Sequence, residues 1–342
     1  MAALFLLLGS IMKIGIVCNL KSGVIKHTHT DDFEEEFDSP ETMHAIGAVL
    51  ASKNHQIIYF AESPDLPAAL INDRPDFVFN FAEGRGASRA REARVPALLE
   101  ILGIPYSGSD PFTLCVGLDK DVAKKIVCDA GVKVPKGAVF TSDSFDLGSI
   151  PIDFAFPVVV KPAWEGSSKG IRDSAVAKTQ EQLRTLLNDA LKGYDQPVIV
   201  EEYLPGCEIT VGLIGNGDGL KVVGAMEIVP KIKDEFFIYS LDVKRNYLTR
   251  VDYCVPPKIS DETLGVLFNS AIKAFKALGC KDFARIDFRL NSSNYPVFIE
   301  ANPLPGLNPV TSDFGLIAKG MGWSYEDLIL AVFETATKRL GL

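Results

Sequence analysis

The 342 residues contain no apolar run long enough to cross a bilayer, no block of lysine and arginine, and no Cys-x-x-Cys pair. The first absence excludes a membrane-spanning helix, since about 20 consecutive apolar residues are needed. Only Met1-Ala-Ala-Leu-Phe-Leu-Leu-Leu-Gly-Ser-Ile11 is strongly apolar, and it lacks the basic start of a secretory signal. It reads as an extension ahead of a native start at Met12, with a weak signal peptide as the alternative. The second absence, with a net charge of −9, makes nucleic acid a poor partner. The third leaves Cys18, Cys115, Cys128, Cys207, Cys254 and Cys280 scattered, without zinc or disulfide spacing. They read as small core residues of a reduced, cytoplasmic protein. Internal repeats, low-complexity tracts and the phosphate-binding pattern G-x-x-x-x-G-K-[ST] are also missing, which sets aside solenoids and P-loop enzymes.

What is present is ordinary globular composition, 47% hydrophobic and 23% charged, in a chain long enough for two or three sub-domains. From Met12 the pattern alternates strands and helices: strands at 14–18, 56–60 and 76–81, helices at 40–52 and 89–102. Near-continuously apolar strands separated by helices predict a parallel sheet covered on both faces. Residues 21–39 form a polar loop expected to move over a site. A helix at 119–130 is closed by Gly131. Strands follow at 138–140 and 157–161, then a Gly/Ser-rich loop and a helix at 181–191. Later strands are expected at 198–202, 208–214, 221–229, 283–289 and 297–301, and helices at 261–278 and 325–340. The fold class is α/β followed by two α+β lobes, with ligands between them. The expected domains are 12–108, 109–196 and 197–342.

The densest chemistry lies in Ala284-Arg285-Ile-Asp287-Phe-Arg289 and Phe298-Ile-Glu300-Ala-Asn302. Alternation puts Arg285 and Asp287 on one strand face, and Glu300 and Asn302 likewise. Asn291-Ser-Ser-Asn294 is turn chemistry, so the strands form a hairpin. A register centred on that turn sets Asp287 opposite Glu300 and Arg285 opposite Asn302. Two carboxylates and an amide oxygen make a hard site suited to Mg²⁺. Arg285 beside it can stabilise charge on a reacting oxygen. The alternative is a surface hairpin with solvated charges, its other face filled by Ile286, Phe288, Val297 and Ile299. Convergence of four polar groups beside Pro303-Leu-Pro-Gly306 favours the site.

Val158-Val-Val-Lys161 delivers a lysine from a buried strand into Gly166-Ser167-Ser168-Lys169-Gly170. Successive backbone N–H groups there can close over phosphates, with Lys161 adding charge. Alone, this would be an ordinary glycine loop. Backbone groups of Glu202, Tyr203 and Leu204 could meet an adenine edge, and Glu208 ribose hydroxyls. His27, His29 and the acidic run Asp31-Asp32-Phe-Glu34-Glu35-Glu36 read as a solvated loop, since no metal spacing recurs.

With these residues in hand, the chain resembles the D-alanine–D-alanine ligase family of the ATP-grasp superfamily from Met12 almost to its end. The resemblance rests on Leu98-Leu-Glu-Ile-Leu-Gly-Ile-Pro-Tyr-Ser-Gly108, Leu118-Asp-Lys120, Lys161-Pro-Ala-Trp-Glu-Gly-Ser-Ser-Lys-Gly-Ile171, Ala284-Arg-Ile-Asp287 and Glu300-Ala-Asn302. It implies an ATP-grasp fold and an ATP-dependent ligase that joins a carboxylate to an amine through an acyl phosphate. By resemblance, Lys120, Lys161 and Ser168 face phosphates, and Glu201, Glu202, Tyr203, Leu204 and Glu208 the adenosine. Asp287, Glu300 and Asn302 would hold Mg²⁺, for which Mn²⁺ can substitute. Arg285, Gly306, Ser167 and Lys244 would serve the reaction, and Asp38, Arg245 and Thr311 the substrates.

The chain departs from the family where amino acids bind. Asn80-Phe-Ala-Glu-Gly84-Arg-Gly-Ala-Ser-Arg-Ala-Arg91-Glu92 replaces the family's His-Gly-x-x-Gly-Glu-Asp-Gly. The Glu-Arg-Glu-Val-Ser motif has Asp38-Ser39-Pro-Glu41 or Glu35 as its nearest equivalent, and Arg245 stands at a tyrosine position. A permanent guanidinium there predicts a substrate with an extra carboxylate, unless a shift in alignment makes Tyr247 the functional ring. The rivals are a ligase for other small acids and amines, a nucleotide-binding protein without turnover, and a bicarbonate-first ATP-grasp enzyme. The expected partners are small-molecule carboxylates and amines, with no nucleic acid or membrane, and a homodimer is compatible.

Overall fold

The computed structural model describes residues 11–21, 30–142, 152–232 and 234–342. Most of the apolar start, with His27 and His29, lies outside the described residues. The first unit runs β1 (Lys13–Cys18), α1 (Pro40–Ser52), β2 (Gln56–Ala61), α2 (Leu66–Asn72), β3 (Phe77–Phe81) and α3 (Arg94–Leu102). Its strands make a parallel sheet in the order β2-β1-β3. As expected, both faces are covered: Ile14, Ile16 and Cys18 pack in one core with α1, and Val17 in another with α2 and α3. The third helix begins at Arg94 rather than residue 89, because the preceding residues turn tightly. Gly84 has φ +73°, and a Cβ on it would stand 2.3 Å from the Arg91 carbonyl oxygen.

The chain continues through α4 (Pro111–Leu118), α5 (Lys120–Asp129), β4 (Gly137–Phe140), β5 (Val158–Pro162), β6 (Val176–Ala177), α6 (Gln180–Tyr194) and β7 (Val198–Glu202). β7 pairs with both β4 and β5, so the central sheet is β4-β7-β5-β6. The expected break at 196/197 therefore falls too early, before the strand that joins this sheet. Residues 111–132 also belong elsewhere: Val116, Ala123 and Val127 pack into the core of the last sheet. Their amphipathic helices carry no mark in the sequence of which sheet they will cover.

The last unit comprises β8 (Glu208–Ile214), β9 (Lys221–Pro230), α7 (Leu241–Arg245), α8 (Tyr247–Arg250), β10 (Val251–Cys254), α9 (Asp261–Leu278), β11 (Phe283–Leu290), β12 (Pro296–Asn302), α10 (Asp313–Gly320) and α11 (Tyr325–Leu340). Its antiparallel sheet has the order β10-β9-β8-β11-β12. Ser260 caps α9 and Ser324 opens α11 with a capping box, and both helices keep the expected bounds. Helix α11 does not stay with its own sheet alone. Its Leu328, Val332, Phe333 and Ala336 share one core with Ile14, Ile16, Ile46 and Phe77 of the first unit.

Asp282, fully buried, ties three parts together. Its carboxylate accepts from the Gly108 amide at 2.8 Å, from Asn216 Nδ2 at 2.8 Å, and from Arg339 Nε and Nη2, both at 2.8 Å. Removing one partner of a buried, hydrogen-bonded ion pair leaves the other charge uncompensated, at about 3–5 kcal/mol. Asp282→Ala should therefore lower stability by about that amount, read as a fall in the urea midpoint. A midpoint within error of the parent would overturn this account of the junction.

Candidate active site

The site is built first from β11. Ala284, Ile286, Phe288 and Leu290 point into the core with α5 and α9, which leaves Arg285, Asp287 and Arg289 on the opposite face. The hairpin register is the expected one, Asp287 opposite Glu300 and Arg285 opposite Asn302. Asp287 accepts from Thr210 Oγ1 at 2.6 Å, from Arg285 Nε and Nη2 at 3.0 Å, and from Asn302 Nδ2 at 3.0 Å. Arg285 Nη1 also lies 3.4 Å from Asp313 Oδ2. Burial opposes its charge, but Asp287 and Asp313 hold Arg285 cationic well above the ordinary range.

One expectation for this hairpin fails. A bulge between Asp287 and Phe288 leaves Ile299 unpaired and sets Phe298 opposite Phe288. Strand parity therefore changes. Phe298 joins the core, whereas Ile299 leaves the apolar face and lines a ligand cavity.

Asp287, Glu300 and Asn302 fit a divalent cation. Asn302 spends its amide nitrogen on Asp287, which leaves its amide oxygen free as a donor. Burial works against an ionised Glu300, but Lys120, Lys244 and Lys161 pull its carboxyl down to about 2. Among the described residues, no three His, Cys, Asp or Glu side chains converge on one ion. The donor set here is two carboxylates with an amide.

Two cavities meet at Glu300. One, of about 590 Å³, has apolar walls of Val159, Ile171, Leu204, Ile238 and Ile299, with Lys161, Ser168, Glu201, Glu202, Tyr203 and Glu208 also facing it. Glu202 spends its side chain on the Lys136 amide at 2.9 Å. Arg289, to which the sequence reading gives no role, ties this wall together. It reaches Glu208 at 3.3 Å and the Tyr203 hydroxyl at 3.0 Å. Lys161 and Lys124 grip the two oxygens of Glu201, each at 2.6 Å. Lys124 was also missed, since nothing distinguishes it from any other lysine on a helix.

The second cavity, of about 510 Å³, is lined by Lys120, Ser167, Arg285 and Gly306 together with Glu36, Glu83, Glu92 and Glu165. The Gly/Ser loop divides the two spaces, Ser167 facing one and Ser168 the other. Ser167, Ser168 and Gly170 have φ values of 49°, 60° and 75°. Two serines in the left-handed region are held there by bonds from outside the loop. Gly166 N donates to Glu36 Oε1 at 2.6 Å, Gly170 N to Asp32 Oδ2 at 2.9 Å, and Ser168 Oγ to the Tyr239 carbonyl at 2.7 Å. Lys120 lies 3.2 Å from Glu300 and donates to the Glu165 carbonyl.

The acidic run is therefore not the solvated loop expected from the sequence. Asp32 is fully buried and Glu36 is 8% exposed. Arg91, 1% exposed, bonds Glu36 at 2.6 Å and the Trp164 carbonyl at 2.6 Å, and lies 3.3 Å from Glu165. Arg91 stands within the departed segment, which was the only signal of its role.

The three substrate candidates line neither cavity. Thr311 is exposed beside Asn308, and Asp38 bridges to Leu20 beside β1, its carboxyl pushed up to about 7 by burial. Arg245 reaches Asp31 and Glu35, both at 2.8 Å, and Glu35 is thereby committed as well. Successive residues on α7 point about 100° apart. Lys244 therefore lies 4.8 Å from the Tyr239 ring, on the side of Glu300, while Arg245 faces the loop carboxylates. Tyr247 packs on Tyr253 with ring centroids 6.3 Å apart, and Glu41 is exposed on α1. The case for an extra substrate carboxylate goes with Arg245.

Residues 126–334 match the family profile described as D-ala D-ala ligase C-terminus. A D-alanine–D-alanine ligase of Halalkalibacterium halodurans is 33% identical over 85% of this chain and 91% of its own length. One from Aquifex aeolicus is 34% identical over 85% and 93%. Among solved structures, the D-alanine–D-alanine ligase of Bacillus anthracis complexed with ATP superposes with a TM-score of 0.73 at 22% identity, covering 96% of this chain and 98% of that one. That likeness carries the fold. With a matching profile and relatives above 30% identity along most of the chain, this protein belongs to the D-alanine–D-alanine ligase family, the ATP-grasp enzymes that use ATP to form an amide bond.

Proposed function

We propose that the cavity walled by Val159, Leu204, Ile238 and Ile299 takes the nucleotide, and that the cavity beyond Glu300 takes a small amino acid whose carboxylate becomes the acyl group of the amide. The observation that carries this is the meeting of an apolar slot and a polar chamber at Glu300, with Lys120, Lys161 and Arg285 around the junction. An apolar slot ending in a few placed polar groups suits a base and ribose. The carbonyl and amide groups of 202–204 meet the adenine edge, Glu208 accepts from ribose hydroxyls, and Lys120, Lys161 and the Ser167 and Ser168 amides neutralise phosphates.

Asp287, Glu300 and Asn302 would hold a divalent cation, Mg²⁺ or Mn²⁺, which when bound supplies charge neutralisation at the phosphate oxygens. Transfer of the terminal phosphoryl group to the carboxylate demands alignment more than covalent help from the protein. The amine then attacks the acyl phosphate carbon, phosphate leaves, and an amide remains. Arg285 and the Gly306 backbone N–H face the oxygen on which charge gathers in that second step. Lys244 stands close enough to stabilise the same anions. Of the segments that depart from the family, residues 80–92 line the amino-acid chamber through Glu83 and Glu92, so the pair joined differs from two D-alanines. The reaction needs no nucleic-acid or membrane partner and suits the cytoplasm; no helix among the described residues is long and apolar enough to cross a membrane.

Two measurements test this reading. Asp287→Asn and Glu300→Gln should each cut ADP release with MgATP and amino acids by at least roughly a hundredfold, with circular dichroism unchanged. Near-parental rates in both would remove the metal assignment.

The second test concerns the lysine cluster. Burial opposes an ionised Glu201, but Lys124 and Lys161 draw its carboxyl from 4.5 to about 2. A depressed carboxyl stabilises the fold fully above its unfolded value, and that stability is lost as pH falls from about 4.5 to about 2. The interaction is worth about 3 kcal/mol at neutral pH. Glu201→Gln should lower the urea midpoint at pH 7, and that variant's midpoint should decline less steeply than the parent's below pH 4.5. Parallel pH profiles would show that Glu201 is not held ionised by the two lysines.

A further inference from the structure

Five carboxylates line the amino-acid chamber against two cations, Lys120 and Arg285. Three of the five are already engaged. Glu36 holds Arg91 at 2.6 Å, Glu165 holds Lys169 at 2.8 Å, and Glu300 faces Lys120 at 3.2 Å. The remaining two, Glu83 and Glu92, have no hydrogen-bond or ion-pair partner among the described residues, yet both face the chamber. Glu92 is only 6% exposed. A carboxylate that buried and unpartnered is costly unless something brings it a positive charge or a proton. Burial, with the charges of Glu92 and Glu36, pushes the Glu83 carboxyl up; at Glu92 burial, with Glu36 and Glu165, outweighs the pull of Arg91 and Lys120 and raises the carboxyl to about 8.

Neither residue is loosely placed. Glu83 follows β3 on a turn fixed at both sides: Ala82 N donates to Asn80 Oδ1 at 3.3 Å, and Gly84 N to Asn19 Oδ1 at 2.9 Å. Glu92 adjoins Arg91, whose guanidinium is anchored to Glu36 and the Trp164 carbonyl. The Arg91 guanidinium comes within ion-pair distance of Glu36 and Glu165, but not of Glu83 or Glu92. These two carboxylates are held by backbone that would keep them in place with or without a ligand, as a preformed binding group should be.

We infer that Glu83 and Glu92 bind a cationic side chain of the substrate, so that the amino acid entering this chamber is a diamino acid with a second ammonium on its side chain. The inference rests on the ligase reading above and names its substrate class. An α-amino acid brings one ammonium of its own, which offsets one unpaired carboxylate. Two such carboxylates call for two positive charges, and the second must come from the side chain. A neutral amino acid such as alanine would leave one of the two glutamates protonated and without a charged partner.

The test compares charged amino acids with uncharged ones of similar shape. ADP release with MgATP is measured for 2,4-diaminobutyrate and ornithine, and for 2-aminobutyrate and norvaline, each in both hands. The diamino acids should show KM values lower by roughly 10- to 100-fold, the worth of one charge-assisted bond. Glu92→Gln and Glu83→Gln should erase that preference by raising the KM for diamino acids, leave the KM for ATP unchanged, and Glu92→Asp should restore part of the preference. Equal KM values for charged and neutral acids, or a preference that survives both glutamine variants, overturn the inference. If one glutamine variant fails to fold, the other decides. If no amino acid supports ADP release, the ligase reading is what fails. Calorimetric titration of 2,4-diaminobutyrate and 2-aminobutyrate into the ATP-loaded protein then still judges the chamber. Tighter binding of the diamino acid, lost in Glu92→Gln, upholds the charge reading, and equal binding ends it.

Discussion

The buried pair between Glu36 and Arg91 fixes the rest of the site. It joins a carboxylate from the loop after β1 to a guanidinium just before α3, and both reach across to the Gly/Ser loop of the central lobe. Burying an arginine and a glutamate is costly, and further hydrogen bonds offset part of that cost, though Arg91 Nε is left without a partner among the described residues. Here the spare oxygen capacity of Glu36 takes the Gly166 amide, and a second arm of Arg91 takes the Trp164 carbonyl. The loop that divides the two cavities is thus positioned by the first unit rather than by its own sheet. That arrangement couples the amino-acid chamber to the phosphate loop through contiguous hydrogen bonds.

Much of this architecture could be read from local chemistry. The hairpin register was legible because Asn291-Ser-Ser-Asn294 marks its own turn and alternation does the rest. Helices α1, α9 and α11 keep the bounds expected from the sequence, and in the structure a serine caps the start of each. The bulge at Ile299 was not legible, since an extra residue leaves no compositional trace while it reverses the face of everything beyond it. The acidic run failed for a different reason. A charge run is ordinarily solvated, and the partners that bury Asp32 and Glu36 come from residues 91, 166, 170 and 194, far away in sequence. Arg245 shows the limit of resemblance, because a position can align while its side chain points about 100° from the one that matters.

The electrostatics divide along the same line as the cavities. Around the apolar-walled cavity, carboxylates are paired with a lysine or arginine: Glu201 with Lys124 and Lys161, Glu208 with Arg289, Glu300 with Lys120. Neutralised in advance, that side can accept a polyanion whose own charge is balanced by cations it brings. The amino-acid chamber is the reverse, with negative charge left over. One cavity can change sign while the other stays constant, because they share only Glu300 and are otherwise divided by the Gly/Ser loop.

Helix α11 contributes Leu328, Val332, Phe333 and Ala336 to a core whose other wall is Ile14, Ile16 and Phe77. A ribosome delivers the first sheet some 250 residues before that helix, at about 5–20 residues per second. For the tens of seconds between, that face of β1-β2-β3 has only α1 over it, and part of its apolar surface stays exposed. The first unit is therefore a domain in shape but not in order of assembly. Its completion waits on the last helix of the chain, which makes the nascent protein a natural client for a chaperone that shields exposed sheet.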